Sequence, residues 1–337
     1  MPPAVPAPTP SNTAADWRAD RERVLLVLET AKRMEDRINA ARSLVRMCVE
    51  DPQRAPELRA HIPRLLDDKD ERVRRAGVAL AAAALPPEEA EAFLGARLTD
   101  KHYEVRLEAV GQLADLALPS SRGMFAAAMA DPSFEIQFEA ARGMAALKHG
   151  AGLDVLVRAL DNDHLRFRAL GSLAELGDVR ALPAIQKLFN RFLLPAFERT
   201  QAAGARAKLG DTAAIPHLFA RTKKKWSTDR ALAVELLGEV KAPGARERLL
   251  EILTNPKDSC RGPAARGLGR LGDRTVIPEL ARVLEEPNLP EDVLLDAAEG
   301  LCLLGGDEAR APVRRVLERV TDPSVRDELQ SMLEDYE

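Results

Sequence analysis

Residues 176–188 read LGDVRALPAIQKL, and the same phrase returns at 209–219 as LGDTAAIPHLF and at 271–284 as LGDRTVIPELARVL. Each copy places a glycine and an aspartate ahead of an apolar residue and a proline. Glycine suits the left-handed residue that ends a helix, and the aspartate after it can cap the next one. Proline is tolerated in a first helical turn, where its missing N–H has no partner to lose. The phrase therefore marks the end of one helix and the start of another. Looser copies of its parts occur at Ile62-Pro63, at Gly305-Gly306-Asp307 and at Ala311-Pro312.

A second marker gives the register. Arg74, Arg106, Arg166, Arg199, Arg230, Arg261 and Arg326 each open a second helix, with Gln137 and Leu294 in the two remaining places. Successive spacings run from 29 to 33 residues. Such self-similarity is the signature of a repeat array. Within the second helices, Val73, Ala76, Leu80 and Ala84 form one apolar stripe, as do Cys260, Ala264, Leu268 and Leu271. Asp68, Asp100, Asp131, Asn255 and Asn288 fall in the turns between paired helices, where their side chains can bond nearby amides. An arginine in fixed register with these acids is expected to brace adjacent repeats. One helix pair cannot bury its own stripe, so the pairs must stack.

These phrases, with DERVRRAGVAL (70–80), resemble the HEAT-repeat family, in particular the bacterial HEAT-like repeats also found in phycobilin lyases. The resemblance covers roughly residues 56–335. It implies an all-α fold: a right-handed superhelical α-solenoid of about nine HEAT-like helix pairs, with the second helices lining a concave face. The expected organisation is a disordered proline-rich segment at 1–16 and a single solenoid over 17–335. Residues 17–49 would form a degenerate N-terminal cap and 308–335 an acidic C-terminal cap.

Composition supports this. The 337 residues are 46% hydrophobic but only 4% aromatic, so Ala and Leu must do most of the packing. No run approaches the roughly 18 apolar residues of a membrane span, and the N-terminus lacks the apolar core of a signal peptide. Cys48, Cys260 and Cys302 form no CxxC pair and read as buried thiols in a reducing cytoplasm. The net charge of −4 conceals a gradient. Residues 148–230 hold 15 basic and 8 acidic side chains, whereas 275–337 hold 6 and 16.

Relatives with this architecture include iron-dependent hydroxylases with paired His-Glu dyads, DNA glycosylases and bilin lyases. This sequence has no His-Glu pair, and its five histidines lie in different repeats. Neither a phosphate-binding glycine loop nor a continuous basic groove is present. No catalytic residue, metal ligand or cofactor site is therefore expected. The expected function is a cytoplasmic, monomeric, non-catalytic adaptor that binds one or more proteins through the concave face and the 189–226 edge, with nucleic acid an unfavoured partner. The alternatives are a glycosylase-like DNA-binding or repair protein and a bilin lyase-like chaperone or enzyme subunit.

Candidate binding residues are those that break the repeat. The turn after residue 189 carries Arg191, Phe192, Leu193, Leu194 and Phe197 where other units are polar. An apolar turn is either covered or presented to a partner. The next turn carries Lys223, Lys224, Lys225 and Trp226, suited to a partner with an acidic segment. Phe138 and Phe167 share one second-helix position in consecutive units and are expected toward the concave surface or its rim.

Overall fold

The computed structural model describes residues 14–336, so residues 1–13 of the proline-rich segment lie outside the described residues. Among the described residues there are twenty α-helices and no strand. The chain divides into two compact units, one through Leu156 and one from Val157.

The first unit contains α1 (Ala14–Thr30), α2 (Met34–Glu50), α3 (Ile62–Leu66), α4 (Glu71–Ala84), α5 (Pro87–Arg97), α6 (Tyr103–Leu116), α7 (Arg122–Ala128) and α8 (Phe134–Ala146). The division falls inside α9 (Leu153–Ala159). The second unit contains α10 (Arg166–Leu176), α11 (Leu182–Phe189), α12 (Ala196–Lys208), α13 (Ile215–Thr222), α14 (Arg230–Glu239) and α15 (Ala245–Leu253). It continues with α16 (Arg261–Leu271), α17 (Ile277–Leu284), α18 (Glu291–Leu304), α19 (Gly306–Arg319) and α20 (Pro323–Asp335). Helix α1 starts at Ala14, within the segment read as a lead-in.

The local rules are visible at the helix ends. Pro63, Pro183, Pro216 and Pro278 each occupy the second residue of α3, α11, α13 and α17. Asp178, Asp211 and Asp273 each accept a hydrogen bond from the amide two residues on, at 2.9–3.1 Å. These acids cap a short 3₁₀ turn that leads into the helix, rather than the α-helix itself. Gly177 and Gly272 end α10 and α16 with φ of 75° and 79°. Pro312 departs from the pattern. It lies inside α19, which begins six residues earlier at Gly306.

In each unit the second helices stack on one another. Helices α2, α4, α6 and α8 pack in that order in the first unit, and α10, α12, α14, α16, α18 and α20 do so in the second. Each repeat thus touches its neighbours in sequence, which defines an α-solenoid. Packing is closest where glycines meet. A Cβ on Gly238 of α14 would lie 1.9 Å from the Gly267 carbonyl oxygen of α16, and one on Gly300 of α18 would lie 2.4 Å from that of Ala265. Those helices meet backbone to backbone.

The arginine register forms a ladder. Arg74 donates to both carboxylate oxygens of Asp100 in the next turn (2.7 and 2.8 Å) and to the Asp68 carbonyl of its own turn (2.8 Å). Arg106 repeats this with Asp131 and the Asp100 carbonyl. Arg37 of α2 pairs with Asp68, so the N-terminal pair shares the ladder. In the second unit Arg166 reaches Glu198, Arg230 reaches Asp258 and Arg261 reaches Glu286. Each turn acid is therefore a rivet. Asp100, for example, also accepts the His102 amide of its own turn at 2.9 Å.

Candidate functional site

The ladder changes character at Arg199. Among the described residues its guanidinium reaches no carboxylate. It donates instead to three carbonyls of the preceding turn, those of Phe189, Arg191 (3.0 Å) and Leu194 (3.4 Å), and lies over the Phe189 ring. One cation thus gathers the whole α11–α12 turn. Buried Leu194 anchors it from below, while Phe192 and Leu193 project into solvent at 88% and 81% exposure. Leu193 adopts φ 63°, a left-handed conformation that costs a non-glycine residue roughly 1–2 kcal/mol. The strain turns two consecutive leucines in opposite directions.

The candidate residues therefore separate. Arg191, Phe192 and Leu193 are exposed; Leu194 is not, and its role is to hold the turn. Phe167 and Phe197 are both partly exposed and stack at 5.2 Å between centroids with an interplanar angle of 24°. The sequence placed them in different repeats, and the α10–α12 contact brings them together. Phe138 is fully buried and cannot meet a partner. It shares the register of Phe167, but packing closes over it in α8. A shallow depression of about 400 Å³ runs beside the turn, bordered by Asp163, Arg166, Phe192, Leu193, Pro195 and Glu198.

The next turn is different in kind. Trp226 is 98% exposed, and Lys223, Lys224 and Lys225 are exposed around it. With Arg221 and Ser227 they border a separate open depression of about 540 Å³ that shares no residue with the first. Beneath the lysines lies a buried polar cluster. Asp229 accepts hydrogen bonds from Thr200 (2.6 Å), Arg221 (2.7 Å) and Ser227. Burial alone would raise its pKa, but the bonds from Arg221, Ser227 and Thr200 outweigh that and hold the carboxyl well below its ordinary range. His217 completes the cluster, 3.4 Å from the Thr200 hydroxyl and edge-on to Phe189. Burial, with Arg221 second, lowers its pKa.

The Thr200–Asp229 hydrogen bond ties α12 to the residue that precedes α14, so the apolar and basic turns that lead into these helices are neighbours. This staple was readable from the register. The residue before the ladder arginine is Val73, Val105 or Leu165 in other repeats, but Glu198 and Asp229 here. A carboxylate in an apolar register place signals a buried partner.

Residues 121–191 and 215–302 match the family model described as HEAT repeats. Those two stretches carry HEAT repeats. No curated protein matches it. Among solved structures, an engineered protein is 21% identical, covering 94% of this chain and 98% of its own, with a TM-score of 0.43. The complex of CpcE and CpcF of phycocyanin lyase from Nostoc sp. PCC7120 is 18% identical, covering 75% and 95%, with a TM-score of 0.47. Human deoxyhypusine hydroxylase in complex with glycerol is 19% identical, covering 74% and 96%, with a TM-score of 0.33. Among the described residues, no group of three or more His, Cys, Asp or Glu is placed to hold a metal ion, and no helix is long and apolar enough to cross a membrane.

Proposed function

We propose that this HEAT-repeat chain is a non-catalytic adaptor that docks a protein partner on the α10–α12 surface. The observation that carries this reading is the pair Phe192 and Leu193, held out in solvent by a turn fixed from behind by Arg199 and Leu194. Covering two such side chains would contribute roughly 3–6 kcal/mol before ordering costs are subtracted. Fixing the turn in advance keeps those costs low on this side of the interface. The Phe167–Phe197 stack offers a second, rigid apolar element on the same pair of helices. Aromatic anchors of this kind carry much of the energy in protein interfaces.

The three free cysteines are buried, and burial pushes the Cys48 and Cys302 thiols up to about 11. Inert thiols suit a reducing compartment, and the adaptor is read as cytoplasmic. The test is affinity capture from the native host with the wild-type chain and with Phe192→Asp, followed by titration calorimetry on each captured protein. Loss of one partner with unchanged thermal stability supports the docking surface. Retention of every partner at unchanged affinity sinks it.

A further inference from the structure

The turns of the ladder differ in their acids and in their unpaired cations. The residue six places before each register position is Asp68, Asp100 and Asp131 in the first unit, and each accepts an arginine from the repeat before. In the second unit the same place never holds an acid: it is Leu160, Leu193, Lys224, Asn255, Asn288 and Val320 in turn, and arginines such as Arg230 and Arg261 pair with Asp258 and Glu286 instead. What sets one turn apart is Lys224, which puts a cation in that place. The consequence is visible in the pairing. Arg166, Arg206, Arg221 and Arg230 of these repeats each hold a carboxylate. Among the described residues Arg191, Lys223, Lys224 and Lys225 hold none, and Arg199 bonds only carbonyls and the Phe189 ring.

We propose that the turn bearing Lys223, Lys224, Lys225 and Trp226 takes an acidic segment of a protein partner, whose carboxylates pair with these exposed lysines. This deepens the adaptor reading and rests on it. Charge complementarity selects the occupant. Four unpaired cations flank an apolar turn across neighbouring helices, which lie about 10 Å apart in such packing. A short extended segment mixing carboxylates with apolar side chains reaches both turns, its leucine-like residues on Phe192 and Leu193 and its acids on the lysines. Trp226, fully exposed at the tip, closes over the segment's backbone.

The test uses the full chain and a fluorescein-labelled peptide of about twelve residues alternating Glu and Leu, long enough as an extended strand to span the two turns. Its Lys-Leu counterpart, an oligo-dT and vesicles of phosphatidylserine serve as the other arms. The Glu-Leu peptide is expected to bind, to weaken as salt rises from about 50 to about 500 mM, and to lose about tenfold or more in affinity to the triple variant Lys223→Glu, Lys224→Glu, Lys225→Glu. The lysines are exposed and unpaired, so circular dichroism and melting of that variant should match the wild type. Equal binding by the triple variant overturns the proposal, as does lysine-dependent binding of oligo-dT or vesicles without the acidic peptide. If Phe192→Asp abolishes partner capture while the triple variant binds the peptide normally, only this inference fails. If the triple variant loses the peptide while Phe192→Asp changes neither peptide nor partner, the apolar docking surface fails instead.

Discussion

Replacing Leu193 by glycine should stabilise the protein and at the same time weaken partner binding. Leu193 sits at φ 63° with 81% of its surface in solvent. A left-handed leucine costs roughly 1–2 kcal/mol. Glycine removes that strain but loses about 0.5–1 kcal/mol more backbone freedom on folding. The net expectation is a gain of about 0.5–1 kcal/mol, since little buried area is lost. The adjacent Leu194→Ala must behave in the opposite way. Its side chain is buried, and truncating a buried leucine costs about 2–5 kcal/mol. Urea denaturation of both variants, with calorimetric titration of a captured partner, separates the two effects. A destabilisation of more than about 1 kcal/mol by Leu193→Gly, beyond glycine's own entropic cost, would mean that the side chain is packed. In that case the account of the turn as a strained presenter is wrong.

Three further outcomes follow from the packing and the charges. Arg230→Met should cost about 3 kcal/mol or more, because Asp258 is left buried without its bidentate partner; the exposed pair Arg75–Glu108 should lose less than about 1 kcal/mol in Arg75→Ala. Equal effects in chemical denaturation would refute a structural role for the ladder. Gly238→Ala should cost about 2 kcal/mol or more, since the new methyl meets the Gly267 carbonyl, whereas Gly171→Ala in α10 has open space and should gain a few tenths of a kcal/mol to about 1. With its pKa lowered from 6.5, His217 binds its proton more readily in the unfolded chain, so stability should fall as pH drops below 6.5, and His217→Gln should shrink that step in a pH series of melting curves. Asp100, Asp131, Asp229 and Asp258 are depressed from 3.8, so their contribution is present above that pH and lost as pH falls further.

Local features were the most legible in the sequence. Pro183, Gly177 and Asp178 act within a few residues of themselves, so their roles as helix starter, terminator and cap could be read directly. The ladder was legible as a register because arginine and aspartate recur together, although which acid Arg166 would choose, Glu198, was not. Features decided by neighbours were less accessible. Phe138 and Phe167 look equivalent along the chain, yet one is buried and the other half-exposed, because burial depends on what packs over each helix. Leu193 and Leu194 are alike in composition and opposite in fate, because the turn's backbone reverses sign between them. The Thr200–Asp229 staple has one local signal, an acid in a place held elsewhere by valine or leucine, while its partner Thr200 belongs to the preceding repeat.

The glycine contacts of α14, α16 and α18 carry a mechanical consequence. Side chains between helices act as a compliant layer that can slide and reorient. Where Gly238 meets Gly267 and Gly300 meets Ala265, that layer is missing, and carbonyl presses on backbone. Shear between these helices would drive hard atoms together, so this stretch of the second unit responds to load as a stiff block. Force applied at the turns of α11–α14 is then borne by the Thr200–Asp229 bond and the α12–α14 contact, which become the elastic joint of the unit.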